Sequence, residues 1–291
     1  MNYLLCVPEA CPACHSRAKP LHVRTVHNSY SLRRCPDCRS EYLAPQPDDA
    51  RLAEIYAPDY YEAWHWEQPD VLQAMKGRTF MRALRLLEPR PGSLILDVGC
   101  AQGELAKAAL SLGMNVTGLD LNPEAIETAK KRVPGARFIC GELDPDVVGG
   151  GWDIVTMFDF IEHVRSPTEV LAAAARVLAP SGRLLISTPR IGSGFHRLTR
   201  RAWPQYREEH LVLFSAQGMQ SALAEAGLRI IRIVPTTKFV SLAYLLGQAS
   251  EYGPPLIRLL ARGSKGVSAR RKLVHRVIPV RFGEMTIVAE R

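Results

Sequence analysis

The sequence predicts an α/β protein: a mostly parallel sheet of seven strands, preceded by a small module with four cysteines. Three observations support this fold class. The 291 residues are 47% hydrophobic and 23% charged, which is enough for one large core plus an appendage. Two Cys-Pro-x-Cys pairs stand near the N-terminus. After them, short apolar runs alternate with helical patterns, which is typical of a sheet covered by helices on both faces.

The N-terminal cysteines have the spacing of a zinc ribbon. Cys11 and Cys14 form one pair, Cys35 and Cys38 the other, with twenty residues between the pairs. Each turn directs two sulfurs at one ion, and a tetrahedral site needs two such turns. Four thiolates leave no open coordination position, so we expect a structural Zn²⁺.

We expect three regions along the chain. The zinc ribbon covers residues 1–45, and a Pro-rich helical linker or lid covers 46–92. The main domain covers 93–291, with a helical insertion at about 239–280. The predicted strands of the main domain are 94–98, 115–120, 136–143, 152–158, 182–188, 228–234 and 283–291. This alternation predicts a Rossmann-like sheet.

The ligand site of such a sheet lies beyond the carboxyl ends of its strands, beside the first one. Asp97, Gly99 and Gly103 stand there, and Asp120 ends the second strand. The glycines let the backbone approach a ligand, and Asp120 can accept ribose hydroxyls. The turn Gly-Cys-Ala-Gln-Gly is not a dinucleotide fingerprint. Asp97 would repel a diphosphate and attract an amino group.

Five ordered motifs carry a family resemblance: ILDVGCAQG, VTGLDLNPEAI, CGEL, DIVTMFDFIEHVRSP and LLISTPR. They resemble those of class I S-adenosylmethionine-dependent methyltransferases over residues 55–291. Ala101 departs from the family, which usually has Gly there. Together with the cysteine pairs, IYAPDYY and EEHLVLFS, the motifs are similar to those of bacterial zinc-containing sugar methyltransferases. The resemblance implies an enzyme that methylates oxygen or carbon of a sugar or another small biosynthetic intermediate.

The same resemblance implies a set of cofactor contacts; the alternatives are a turn cap for Glu142 and core packing for Tyr61. These residues are Tyr61, Asp97, Gly99, Cys100, Gly103, Asp120, Leu121, Glu142, Leu143, Phe158 and Asp159.

Two histidines are candidate catalytic bases. His163 follows the fourth strand and His210 follows the loop after the fifth, so both stand at the carboxyl edge. A histidine suits proton removal from an acceptor near neutral pH. The alternatives are a structural histidine bonded to a neighbouring carboxylate such as Glu162 or Glu209, or a divalent-metal site with Glu162.

The connection 188–210 is long, aromatic and basic, which favours a functional role. Trp203 and Tyr206 either wall an anionic acceptor or pack on the ribbon. Residues 254–291 carry most of the net charge of +8. The Arg/Lys cluster of the insertion 239–280 could cover the active site, form a dimer face, or contact RNA or anionic lipid, and the default interpretation is a solvated basic face.

Two other functions remain open. An RNA methyltransferase would use the ribbon and the basic segment to grip phosphates. Against it, the fourth strand ends in MFDF, and stacking aromatics are not interleaved with the basic residues. A non-catalytic scaffold is the third reading. We expect a cytoplasmic protein, because no apolar run is long enough for a membrane span and no signal peptide is evident. The oligomeric state is not fixed by the sequence.

Overall fold

The structure is a computed structural model that describes residues 7–26, 30–56, 69–252 and 275–291. The predicted cofactor contact Tyr61 lies outside these residues. The strands are β1 (Leu21–Val26), β2 (Tyr30–Arg34), β3 (Glu41–Leu43), β4 (Leu94–Val98), β5 (Asn115–Asp120), β6 (Arg137–Cys140), β7 (Trp152–Phe158), β8 (Leu178–Pro189), β9 (Val212–Leu213), β10 (Arg229–Pro235), β11 (Lys238–Ser241), β12 (Val277–Val280) and β13 (Glu284–Glu290). The helices are α1 (Asp49–Ile55), α2 (Pro69–Leu84), α3 (Glu104–Leu110), α4 (Pro123–Arg132), α5 (Pro145–Val148), α6 (Pro167–Val177), α7 (Gly194–Thr199), α8 (Ala216–Glu225) and α9 (Leu242–Tyr252).

The central sheet confirms the predicted fold class. Its seven strands have the order β10-β13-β8-β7-β4-β5-β6. Within this sheet, β13 runs antiparallel to the other six strands, which are parallel to one another. From β4 the chain winds to one edge through β5 and β6, and then returns to β7 on the other side of β4. The switch point, where α/β sheets bind ligands, therefore lies between β4 and β7.

Helices cover both faces of this sheet, as the apolar strands require. Ile95 and Leu96 point to opposite faces, and both are fully buried. One apolar cluster joins Ile95 to helices α2, α3 and α4. The other joins Leu96 to α6 and α8, and it continues into the ribbon through Leu32 and Leu43.

The ribbon shares a sheet with the main domain. Its four strands have the order β1-β2-β3-β9, and β9 follows the long connection after β8. Antiparallel pairing of Tyr42 with Val212 joins β3 to β9. The cysteine module is therefore hydrogen-bonded into the main domain.

The predicted helical insertion is only partly helical among its described residues. It begins at β11 and ends at β12, which pair with each other antiparallel; between them, α9 is described. Met75 of α2 packs against Val240 and Tyr244 of this unit. None of the helices in the described ranges is long and apolar enough to cross a membrane.

Candidate active site

Asp97 is a buried carboxyl at the end of β4, with an exposed fraction of 3%. The hydroxyl of Thr156 donates a 2.7 Å hydrogen bond to its Oδ1. Burial, together with the carboxylates of Asp120 and Glu104, raises the pKa of Asp97 to about 7. A ligand ammonium group would stabilise the ionised form, so this position fits the amino end of S-adenosylmethionine.

The turn after β4 has the backbone conformation that its glycines allow. The φ angles are +75° at Gly99, +46° at Ala101 and +82° at Gly103. A Cβ on Gly99 would lie 2.6 Å from Cδ2 of Phe160. The left-handed angle of Ala101 supplies a physical reason for the Gly that the family usually has there.

Asp120 ties this turn to the segment after β5. Its Oδ2 accepts a 2.8 Å hydrogen bond from the amide of Ala101, and its Oδ1 accepts one of 2.9 Å from Asn122. Each carboxylate oxygen keeps a further lone pair for a ribose hydroxyl. Leu121, next in the chain, is 65% exposed, which leaves an apolar surface for the adenine ring.

The remaining predicted cofactor contacts lie at the same edge, with one change of role. Cys100 is buried, and its Sγ faces Gly118 in the core, so its side chain points away from the ligand side. Glu142 and Leu143 follow β6, where the amide of Gly141 bonds the Asp120 carbonyl at 3.0 Å. Phe158 ends β7, and its ring meets that of Phe80 edge to face.

Asp159 belongs to an ion network that sequence reasoning missed. Its φ is +48°, and Lys238 Nζ lies 3.0 Å from its Oδ2 and 2.7 Å from Glu284 Oε1. Burial lowers the pKa of Lys238, but the two carboxylates raise it more strongly. Burial raises the pKa of Glu284 to about 7. Lys238 begins β11, one residue before the predicted insertion, and no sequence motif marked it.

His163 and His210 are brought together, as their shared position at the carboxyl edge predicted. Their ring centroids are 4.9 Å apart, at an interplanar angle of 79°. His163 Nδ1 lies 3.0 Å from the carbonyl oxygen of Glu209 and 2.8 Å from Tyr56 Oη. His210 Nδ1 lies 2.7 Å from the carbonyl of Gln205. A carbonyl can only accept, so each Nδ1 carries the proton and each Nε2 keeps a lone pair.

Both imidazoles are held in the neutral form. Burial lowers the pKa of His163 to about 3, and the neighbouring His210 adds to this effect. Burial and the charge of Arg207 lower the pKa of His210 to about 4. A neutral imidazole with an unprotonated Nε2 is the form that accepts a proton, but a pKa this low makes it a weak base unless a bound ligand raises the pKa.

Glu162 lies next to the two histidines and forms a cluster with them. Its carboxyl is 1% exposed, and Thr188 donates a 2.9 Å hydrogen bond to its Oε2. Burial and the nearby Asp159 raise its pKa well above the ordinary value. One ligand-type atom from each of Glu162, His163 and His210 lies within 4.8 Å of the other two. This spacing is compatible with contact to a divalent ion.

The aromatic connection before His210 packs on the ribbon. Trp203 is 2% exposed, and its ring meets those of His196 and Tyr206 edge to face. Tyr206 Oη donates a 3.1 Å hydrogen bond to Glu41 of β3. These contacts support the packing interpretation of this connection.

The four predicted ligand cysteines converge on one point. The Sγ atoms of Cys11 and Cys38 are 3.7 Å apart, as are those of Cys14 and Cys35, and all four lie within 4.8 Å of one another. Tetrahedral zinc with Zn–S bonds of about 2.3 Å requires sulfurs about 3.8 Å apart. Burial raises the pKa of the Cys14 thiol to about 12, whereas the hydrogen bond from Cys11 lowers that of Cys38. The cluster therefore fits Zn²⁺.

Comparison with known proteins shows the family of this chain. The family model described as "Methyltransferase domain" matches residues 54–233. The chain belongs to the class I S-adenosylmethionine-dependent methyltransferases, as the motifs predicted.

Among curated proteins, the chain is similar to ubiquinone biosynthesis O-methyltransferases. The protein from Xanthomonas oryzae pv. oryzae is 35% identical over 108 residues, which are 33% of this chain and 43% of that protein. The mitochondrial protein from Schizosaccharomyces pombe is 35% identical over 104 residues, 33% of this chain and 38% of that protein. The match spans less than half the length of these relatives.

Solved structures share the fold. Magnesium protoporphyrin IX methyltransferase from Synechocystis PCC 6803 has a TM-score of 0.52 and 17% identity, covering 65% of this chain and 93% of that one. The cyclase SpnF has a TM-score of 0.50 and 18% identity, covering 74% and 80%. At these identities the likeness shows the fold alone.

Proposed function

We propose that this protein transfers the methyl group of S-adenosylmethionine to an oxygen or an acidic carbon of a small anionic molecule, either a sugar or a natural-product intermediate. The observation that carries this proposal is the pair of neutral histidines at the carboxyl edge. Each has its Nδ1 bonded to a carbonyl, which leaves the lone pair of the neutral ring on Nε2.

Bound S-adenosylmethionine supplies an electrophilic methyl group on a sulfonium, and this chain's residues supply binding, orientation and a base. Asp97 binds the amino group, and Asp120 binds the ribose. His163 or His210 removes the acceptor proton as the methyl group is transferred. Lys238 keeps the carboxylates of Asp159 and Glu284 in place beside the acceptor position.

A groove beside α2, which neither His163 nor His210 lines, supports an anionic acceptor through its charge. The cavity has a volume of about 830 Å³, and Phe158 is part of its wall. Its cationic lining consists of Arg78, Arg82, Arg85 and Arg281, and none of its described lining residues is acidic. Arginine forks bind phosphate and carboxylate groups in bidentate geometry. The O-methyltransferase names of the curated relatives favour oxygen as the methylated atom.

The first test is methyl transfer from labelled S-adenosylmethionine into an extract of the source cells, separated into small-molecule and RNA fractions. We expect label in a small metabolite. His210→Gln should lower this transfer by about 10²-fold or more while S-adenosylhomocysteine affinity stays constant. His22→Gln, in β1 of the ribbon, is the control. RNase-sensitive label would refute the proposal and favour the RNA reading.

The same assay separates proton transfer from metal assistance at the histidine pair. It is run after exhaustive chelation, and again with Mg²⁺ added back. A base mechanism predicts equal rates in the two samples, provided that the four-cysteine site has been reloaded with Zn²⁺. A rate that returns only with Mg²⁺ would contradict the base assignment.

A further inference from the structure

One backbone segment hydrogen-bonds the rings of both histidines. The segment 205–213, called here the histidine segment, carries His210 and ends with β9. Its carbonyl at Gln205 bonds His210 Nδ1 at 2.7 Å, and its carbonyl at Glu209 bonds His163 Nδ1 at 3.0 Å. A displacement of this backbone therefore moves or releases both imidazoles.

The strand partner of the histidine segment belongs to the ribbon. Tyr42 of β3 pairs with Val212, and the amide of Leu43 donates a 3.0 Å hydrogen bond to the carbonyl of Leu211. This last bond is one residue from His210. Antiparallel pairing of this kind fixes the register and the spacing of the segment relative to β3.

Side chains strengthen the same connection. Glu41 of β3 is fully buried and accepts the hydrogen bond from Tyr206 of the histidine segment. Beyond β9, the Ser215 hydroxyl donates to the carbonyl of Cys38, and the Ser215 amide donates to Ser40 Oγ at 3.1 Å. Cys38 is one of the four converging cysteines, so this connection begins at the metal site.

The main domain pairs with this stretch of backbone just beyond the histidine segment, and Arg51 of α1 also bonds Glu208 within it. Phe214 forms a bridge with Arg190, and its carbonyl accepts a 2.8 Å hydrogen bond from Ile191. Upstream of Phe214, the strand that pairs with β9 is β3. The placement of residues 205–213 therefore depends on the ribbon more strongly than the placement of Phe214 does.

We infer that the metal-bound ribbon is the positioning element of the histidine pair, acting through β3 and the histidine segment. A bound ion would join Cys38 to Cys11 and so fix the start of β3. In turn, β3 pairs with the backbone whose carbonyls bond His163 and His210. This inference rests on the proposed function only for the role of the histidines. The mechanical connection exists whatever the acceptor is.

The test compares the Zn²⁺-loaded protein with the same protein after chelation, using hydrogen–deuterium exchange and S-adenosylhomocysteine titration. We expect chelation to raise amide exchange in residues 205–213 and leave it unchanged in β4 and β5. S-adenosylhomocysteine affinity should change by less than about twofold, while transfer to the labelled metabolite falls about 10²-fold. Zn²⁺ addition should restore both exchange and transfer.

Two variants sharpen this test. Cys38→Ser should reproduce the chelated state, whereas Asp37→Asn, in the same turn but outside the ligand set, should behave as wild type. Tyr206→Phe should keep its metal and still show faster exchange in the histidine segment. Unchanged exchange there after metal loss would overturn the inference. Exchange that rises throughout β4 and β5, with loss of S-adenosylhomocysteine binding, would also overturn it, because the ribbon would then support the whole fold.

Failure of the inference and failure of the proposed function give different results. If the acceptor or base is wrong, transfer is absent or unaffected by His210→Gln, yet exchange in residues 205–213 still follows the metal. If the positioning is wrong, the metabolite is labelled and exchange does not respond to the metal.

Discussion

Gly99→Ala tests whether the turn after β4 must approach Phe160 without a side chain. A Cβ at this position would meet Phe160 Cδ2 at 2.6 Å, and the φ of +75° adds strain. Gly227 provides a matched control, because it has the same φ of +75° with nothing within 4 Å of an added Cβ. The two variants share the backbone cost and differ only in the steric contact.

The expected magnitudes follow from these two terms. A left-handed alanine costs about 1–2 kcal/mol in each variant, and overpacking adds about 1–3 kcal/mol in Gly99→Ala alone. Chemical denaturation should therefore show a larger loss of unfolding free energy for Gly99→Ala than for Gly227→Ala. Calorimetric titration should show S-adenosylhomocysteine binding weakened by about tenfold or more only in Gly99→Ala. Equal stabilities and equal affinities in the two variants would refute the reasoning.

Three further predictions concern charge. The raised pKa of Asp97, about 7 against an ordinary 3.8, means that the cofactor-free protein binds this proton more tightly than the unfolded chain does. Stability should fall as pH rises from about 4 to above 7, and Asp97→Asn should reduce that slope in denaturation curves taken across this range. S-adenosylhomocysteine affinity should rise over the same pH range as Asp97 ionises, and a pH-independent affinity would contradict this assignment. Lys238→Met should cost about 3 kcal/mol or more in unfolding free energy, because it leaves Glu284 buried without its cation. Adding Glu284→Gln should recover part of this loss. Full additivity of the two substitutions would argue against an ion pair between Lys238 and Glu284.

Local sequence patterns predicted the fold class and much of the site. The strand around Asp97 was predicted with its observed bounds, Leu94–Val98. The cap of α4 was also predicted, since Asn122 Oδ1 accepts from the amides of Glu124 and Ala125 at 2.9 and 3.0 Å. These features depend on neighbouring residues and on strand periodicity, which a single sequence contains.

The sequence by itself determined the ligand types: four cysteines at metal spacing, two carboxylates and two glycines around a cofactor turn, and two histidines at one edge. The tertiary structure decided how they act. Ser40 and Ser215 are bonded although they are 175 residues apart, and no local pattern predicts that the ribbon joins the histidine segment. The same holds for the ion network of Lys238. Long-range pairing depends on how strands dock, and burial sets the charge of Asp97 and of both histidines only after docking.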